Sequence, residues 1–523
     1  MISALHWIRK GVAAQHPEKY DLDDKEYQRI SALAAGQLQD AKADLADALG
    51  TDGASSSKAE PNATPTDNEL AEYDLEHYDD PADDDEGQSM NIFSNIKGLT
   101  YYPSNSEDPY ITLKDNDDEE EERAELEVLP TDSLLLAAKT EDDISHLEVY
   151  VYESEEENLY VHHDIMLPTF PLCLEWLDFR LGRNAGKEGG GNYVAVGTFD
   201  PEIEIWDLDV IDSMYPDAIL GQQEGKGKKK KSKKANPDYH TDAVMSLSWN
   251  KLHRNLLASS SADTTVKLWD LTTLTCAHSF SHHTSKVQSV VWHPTESTVL
   301  LTGSYDSTVA AFDSRSPQAV SRWRVSSDVE VLKWDPHRPT HFYVSTEEGM
   351  VRYYDGRVAE KPVYTLHAHD SAVSALDVNT FVSGCIVTGG VDKLIKVWDV
   401  KDDKPTMITS RDLGLGKIFS ASFCPDTPFH LAVAGSKGQV QVWDLSLNPG
   451  MRRAFAGRSS LIVGDNAEVA EKKPVGLPDD KEPDSDEEDK VPAIEDDVAM
   501  EDDGEEDEDE EEEEDEEESE EDV

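Results

Sequence analysis

An apolar run closing on Trp-Asp, or on another aromatic followed by Asp, returns again and again along this chain, and that recurrence restricts the fold more than any other feature. The runs are GTFDPEIEIWD (197–207), SADTTVKLWD (261–270), SYDSTVAAFD (304–313), STEEGMVRYYD (345–355), GGVDKLIKVWD (389–399) and GSKGQVQVWD (435–444). Counted from Trp269, successive aromatics lie 43, 42, 44 and 45 residues apart. A second series precedes the first, around Trp176, Trp249, Trp292, Trp334, Asp377 and Phe423, and with Trp7, which matches this second series, nine of the ten tryptophans fall in one series or the other, Trp323 excepted. A period in the low forties that holds four short alternating strands is one blade of a β-propeller, a unit that buries its apolar faces only when its neighbours stack on both sides.

Matching offsets inside the units predict a buried hydrogen-bond relay. His240, Ser259, Asp263 and Trp269 stand in one register, and His369, Thr388, Asp392 and Trp398 in another. An indole N–H can donate to a hydroxyl and the hydroxyl onward to imidazole, while a carboxylate in the tight turn accepts from the imidazole and the backbone. The set His283, Thr302 and Asp306 ends on Phe312, which has no donor, so this relay is incomplete. Units with Glu348 and Lys437 at the Asp position are expected to rest on packing alone. The same residue types make catalytic triads, but recurrence at blade period beside an aromatic marks architecture.

Five units run from 240 to 456 and a sixth from Phe170 to about Gly221. Residues 133–167 read as three more strands without an innermost one, and ISALHWI at 2–8, with Trp7 placed as Trp249 is in VMSLSWN, matches the missing strand. The expected architecture is therefore all-β: a seven-bladed WD-repeat β-propeller made of residues 1–12 and 131–456, with a helical and disordered insertion (13–130) in blade one, a basic loop at 222–238 and a disordered acidic tail at 457–523. The last blade is expected to take its outer strand from MRRAF, 451–455. Within the insertion, Ile30, Leu33, Ala34, Leu38, Ala41, Leu45 and Leu49 follow a helical spacing, giving a helix at about 24–49 that either docks on a partner or the propeller or lies solvated on its rim. Residues 91–112 are more apolar than their surroundings and are candidates for binding along the propeller or a partner.

The formal net charge of -63 is concentrated: 67–86, 115–127 and 479–522 hold nearly half of the 110 acidic residues and almost no basic ones. Such segments bury too little apolar area to offset ordering. The C-terminal polyanion is suited to basic partners such as ribosomal proteins or histones, in competition with a purely solubilising role. Ser485 and Ser519 precede acidic residues, as acidophilic kinases prefer. Against this background KGKKKKSKK presents Lys226, Lys228, Lys229, Lys230, Lys231, Lys233 and Lys234 in nine positions. The run reads first as a nuclear-import signal, second as a contact for nucleic-acid phosphates, and third as a solvated loop.

No catalytic or cofactor motif emerges. GRNAGKE (182–188) has three residues between its glycines where a phosphate loop has four, and no Ser or Thr follows the Lys. His162 and His163 lack a third spaced ligand. The cysteines Cys173, Cys276, Cys385 and Cys424 are too far apart for a zinc motif and are expected to be reduced, buried thiols. No apolar run reaches membrane-spanning length, and a soluble intracellular protein without cofactor is expected.

Outside the repeats, MISALHWIRKGVA with EKYDLDD, SEDPYITL, LYVHHDIMLPTFPLCLEWLDF, GTFDPEIEIWDLD with the lysine-rich run after it, and HTDAVMSLSWNK together resemble the fungal periodic tryptophan protein 1 family. That resemblance covers nearly all of residues 1–456. It implies a nuclear and nucleolar protein without catalytic residues, a scaffold in ribosome biogenesis. Its implied partners are assembly factors and ribosomal proteins, with pre-rRNA inside the particle, and its implied role is processing of the large-subunit precursor. The expected state is a monomer within a complex, with no membrane partner. The alternative is a chromatin- or histone-binding propeller acting on rDNA transcription.

Overall fold

The strands form where β-branched and aromatic residues alternate with small or polar ones, and four-stranded antiparallel meanders repeat seven times around a ring. The computed structural model describes residues 1–22, 26–31, 123–124, 126–181, 189–222, 236–358, 361–455, 458 and 474–477. Blade one consists of Ile2–Ile8, Ser133–Glu141, Ile144–Glu153 and Asn158–Leu167, in that order from the central channel outward. The inner strands of blades two to seven are Pro171–Leu177, Val244–Trp249, Val287–Trp292, Val329–Trp334, Ala375–Val378 and Ile418–Phe423. In six of the seven blades the inner strand slips register at its first paired residues, as between Ile2 and Ala4 or Val244 and Ser246, a bulge that sharpens the local twist.

Between blades lie flat layers of apolar side chains. Blades six and seven share Val387, Val397, Ile418, Leu431 and Trp443, and blades one and two share Leu136, Val149, Ile165, Val196 and Trp206. The ring is closed by packing, and among the described residues no sheet draws strands from both chain ends. Ile2, Leu5, Trp7 and Tyr150 of blade one pack on Ala432, Ala434 and Val442 of blade seven. Across this seam Leu5 N donates to Ser420 Oγ at 3.2 Å, Trp7 Nε1 to Ser422 O at 3.0 Å and Lys10 N to Asp426 Oδ2 at 2.7 Å.

Two expectations about the last blade are corrected. MRRAF is not its outer strand: Pro449–Phe455 is an α-helix, and the outer strand is Val475–Gly476, paired with Gln441 and Val442. The reason is local chemistry. Asn448 Oδ1 accepts from Gly450 N at 2.8 Å and Met451 N at 3.2 Å, Pro449 fits a helix start, and Met451 and Phe455, one turn apart, bury together against blades six and seven. The propeller accordingly runs past 456. Val475 and Leu477 pack against the seam between blades one and seven.

The antiparallel meander gives the ring two chemically distinct faces. One, here the relay face, carries the turns between second and third strands and the connections leaving each outer strand; the opposite face carries the rest. The insertion of blade one leaves and re-enters on the opposite face, after Ile8 and before Ser133, and its described ends are tied down there. Glu18–Lys19 adds in parallel to Val210–Ile211 of blade two, Ala14 N donates to Asp209 Oδ1 at 2.9 Å, and Val128 N to Gln15 O at 2.9 Å. Residues 26–31 are helical, and Arg29 Nη1 reaches Pro216 O at 2.8 Å; the rest of the helix expected at about 24–49 lies outside the described residues. The connection whose sequence holds the lysine run starts and ends on the relay face, after Ala218–Leu220 and before Val244–Trp249.

Candidate functional site

Each relay joins three pieces of backbone: the connection entering a blade, its second strand and the turn before its third. In blade three His240 Nδ1 lies 3.0 Å from Asp263 Oδ2 and its Nε2 2.7 Å from Ser259 Oγ, to which Trp269 Nε1 donates at 2.8 Å. Blade six repeats this with His369 Nδ1 to Asp392 Oδ2 at 2.9 Å, His369 Nε2 to Thr388 Oγ1 at 2.9 Å and Trp398 Nε1 donating to Thr388 Oγ1 at 2.9 Å. In blade four His283 contacts Asp306 at 3.0 Å and Thr302 at 2.9 Å, while Phe312 adds nothing and Ala310 O, 3.2 Å from Thr302 Oγ1, competes with His283 Nε2 for the one hydroxyl proton.

The electrostatics fix the proton positions. Burial pushes His240, His283 and His369 below the ordinary imidazole value in spite of their carboxylate partners. Burial alone would raise Asp263, but hydrogen bonds from His240 and Thr265 together hold it well below the usual carboxylate range. A neutral imidazole facing an ionised Asp donates from Nδ1 and accepts at Nε2 from the hydroxyl, which leaves the hydroxyl oxygen free to accept from indole. Ser259, Thr302 and Thr388 are all 0% exposed, so these hydroxyls meet no substrate and the sets are structural. Gly349 shows how tightly they are enclosed. It has φ +82°, and a Cβ on it would lie 2.0 Å from His369 O, so no side chain fits at that turn.

The departing units improvise. Glu348 does not rest on packing alone: Ser326 Oγ donates to Glu348 Oε2 at 2.6 Å, standing in for the histidine. Lys437 has no such contact, and Trp443 keeps a buried Nε1 without a hydrogen-bond partner among the described residues, with the Arg411 guanidinium 5.3 Å from its ring centroid. In blade two Trp206 Nε1 donates to Glu204 Oε2 at 3.2 Å, and burial pushes the Glu204 carboxyl up to about 7. Because the folded value lies above the ordinary 4.5, the neutral acid is the favoured buried form. Above about pH 7 folding must therefore bury an already ionised carboxylate, and this cost fades as pH falls toward 4.5. Glu204→Gln keeps an acceptor for Trp206 and should stabilise the protein by about 1–3 kcal/mol at alkaline pH, the gain vanishing by about pH 4.5. Urea denaturation at several pH values measures it; a gain independent of pH would contradict the assignment.

A second set of links went unseen in the sequence. Inner-strand side chains that face the channel accept backbone N–H groups from the next blade, in two tiers. Ser246, Ser289 and Ser420, three residues before the strand's aromatic, accept from Val290, Leu332 and Leu5 at 3.4, 3.2 and 3.2 Å. Glu175 and Ser248, one residue before it, and Asp377 at the same place before Val378, accept from Trp249, Trp292 and Phe423 at 3.0, 3.2 and 2.8 Å. The relays thus bind each blade internally, and the channel residues bind blade to blade. Around the lower tier Lys333 Nζ pairs with Asp377 Oδ1 at 3.2 Å, burial raises Glu175 to about 7, and burial with Lys251 and Lys333 lowers His6 to about 3. The signal was a serine at fixed distance before the aromatic, legible only when several blades are superposed.

Other sequence candidates separate clearly. His162 and His163 contact each other through Nδ1 at 2.8 Å, and His162 Nε2 donates to Leu126 O at 3.0 Å, so the pair fastens the end of the insertion. All four cysteines are free thiols, but only Cys385 and Cys424 are buried; Cys173 and Cys276 are partly exposed. The seven lysines 226–234, Ser485, Ser519, the GRNAGKE loop and the segment 91–112 lie outside the described residues. The base of the lysine run is visible: Lys267, a lysine 0% exposed, donates to Asn236 O at 2.5 Å and to Ser279 Oγ at 2.8 Å.

Comparison with known proteins agrees with this geometry. The family model "WD domain, G-beta repeat" matches residues 233–270, 274–313 and 360–399. An uncharacterized WD repeat-containing protein of Schizosaccharomyces pombe is 49% identical over 503 residues, covering 92% of this chain and 96% of its own length. Periodic tryptophan protein 1 of Saccharomyces cerevisiae is 38% identical over 535 residues, covering 90% and 92%. The periodic tryptophan protein 1 homolog of Drosophila melanogaster is 30% identical over 469 residues, covering 87% and 96%.

Proposed function

The chain belongs to the periodic tryptophan protein 1 family, and from that premise we propose that it is a non-catalytic nuclear and nucleolar assembly factor for the large ribosomal subunit. The observation that carries this reading is the extent of the likeness, which runs the length of both chains and so takes in the non-repeat segments along with the blades. Propeller repeats alone serve too many processes to select one.

The geometry suits binding and release. A ring held rigid by relays and channel links offers two faces, the chain leaving for the insertion from one and for the connection between Leu220 and Val244 from the other. Acidic segments hold basic ribosomal proteins away from premature contact with RNA through a salt-sensitive attraction, and the lysine run serves nuclear import or phosphate contact. Partners are other assembly factors and ribosomal proteins, with pre-rRNA inside the particle. The buried state of the relay hydroxyls supports the non-catalytic part of the reading.

One experiment tests the whole. Rapid depletion should lower free large subunits on sucrose gradients and accumulate their rRNA precursors, with small-subunit processing spared. Re-expressed wild-type protein should restore both. A variant with Lys226, Lys228, Lys229, Lys230, Lys231, Lys233 and Lys234 changed to Gln should stay folded, remain outside the nucleus and fail to restore them. Normal large-subunit production accompanied by a chromatin defect would instead favour a histone-binding propeller.

A further inference from the structure

Two residues before the third-strand aromatic, the blades carry Glu204, Lys267, Ala310, Arg352, Lys396 and Gln441. In blade six this side chain caps the relay connection, Lys396 Nζ donating to Ala368 O, the residue before His369, at 2.7 Å. Blade four has only Ala310 there, 0% exposed and too short to reach. The cation arrives from the outer strand instead: Arg322 stands opposite Ala310 and its Nη2 donates to His282 O, the residue before His283, at 2.7 Å. Arg324, opposite Thr308, follows on the same side of the strand. This substitution of routes leaves a cavity of about 370 Å3 on the relay face, walled by Arg322, Arg324, Thr284, Ser307 and the edge of the relay. Its size is at the lower end for a ligand site.

The lining is built of donors. Arg324 and the hydroxyls of Thr284 and Ser307 have no side-chain partner among the described residues, and Arg322 uses one N–H of its planar fork, leaving the others available. Asp306 also borders the cavity, but its oxygens are taken up within the relay by His283, Thr284 N, Thr308 N and Thr308 Oγ1. The outer strand Ser316–Arg324 holds no acidic residue, in a chain of formal net charge -63. Two guanidiniums with two hydroxyls match a tetrahedral oxyanion. Beyond the cavity Ser326 accepts from Arg352 Nη2 at 2.6 Å and donates to Glu348, and past this pair the sign reverses, where Asp328, Glu330 and Glu347 gather around Tyr305. A polynucleotide would have to run its next phosphates over these carboxylates, whereas a peptide with a basic residue beside its phosphoryl group would meet them favourably.

We infer that the blade-four cavity is a phosphopeptide site, in which Arg322 and Arg324 hold a phosphoserine or phosphothreonine and the acidic wall of blade five receives a neighbouring basic side chain. The inference is independent of the ribosome-assembly reading. It is tested with the full-length protein, on an array of degenerate peptides centred on phosphoserine or phosphothreonine and their unphosphorylated counterparts, followed by fluorescence titration of the selected phosphopeptide and of a labelled single-stranded RNA. Phosphopeptides with adjacent Lys or Arg should be selected. Arg324→Gln, which removes no side-chain hydrogen bond among the described residues, and Arg322→Gln, which keeps a donor for His282 O, should each weaken binding about tenfold or more. Arg315→Gln, at an exposed arginine paired with Asp313, should not. Equal binding of phosphorylated and unphosphorylated peptides, phosphopeptide binding that survives both cavity substitutions, or Arg324-dependent binding of RNA alone would overturn the proposal.

Discussion

A chain lacking residues 1–12 should have no stable folded propeller. The deletion removes Ile2, Leu5, Trp7 and Ile8, which are 0, 7, 5 and 0% exposed. Burying such side chains contributes about 1.5–3 kcal/mol each, roughly 6–12 kcal/mol together, against a typical domain stability of about 5–15 kcal/mol. The loss also strips the seam of its bonds to Ser420, Ser422 and Asp426 and exposes the edge of Ser133–Glu141, a strand buried on both faces. Circular dichroism and urea denaturation of the truncated protein provide the measurement. A cooperative transition at the full-length midpoint would show that the ring does not depend on this strand.

Ser259→Ala should cost about 2–4 kcal/mol, since it orphans two fully enclosed groups, the Trp269 indole N–H and His240 Nε2. Thr302→Val in blade four supplies the internal comparison. It keeps the side-chain shape and orphans chiefly His283 Nε2, because Phe312 has no N–H to lose, so its cost should be smaller, about 1–2 kcal/mol. Chemical denaturation of the two variants decides the matter. Equal costs would mean that the indole bond contributes nothing, and negligible costs in both would remove the relay as a source of stability.

How far the sequence could be read depends on whether a feature repeats. Trp269, Trp398 and their His, Ser or Thr and Asp partners were legible because the same offsets occur in separate blades, and each blade imposes the same geometry on them. Trp7 was legible for the same reason: ISALHWI copies the spacing of a channel strand although 124 residues separate Ile8 from Ser133. Single-copy features were not. MRRAF looked like a strand at the place where a strand was needed, and only Asn448, Pro449 and the four-residue spacing of Met451 and Phe455 disclose the helix. Val475–Gly476 is two residues long and too brief to carry a period. The blade-four cavity depends on an absence, Ala310 where blades three and six have lysine, and its meaning appears only when the outer strand is seen to send Arg322 across in compensation.

The seam between blades one and seven also sets a timetable for synthesis. Leu5 N and Ser420 Oγ, bonded across it, are 415 residues apart in the chain. At elongation rates of about 5–20 residues per second, roughly 20–80 s pass between the emergence of the first strand and that of its partner. Throughout that interval Ile2, Leu5 and Trp7 have no blade-seven surface to cover them, and a newly made chain carries an adhesive apolar end in a crowded cytosol. Nascent-chain protection of the N-terminal strand is therefore a demand created by the ring topology itself, and the last blade to be translated releases the first residues from it.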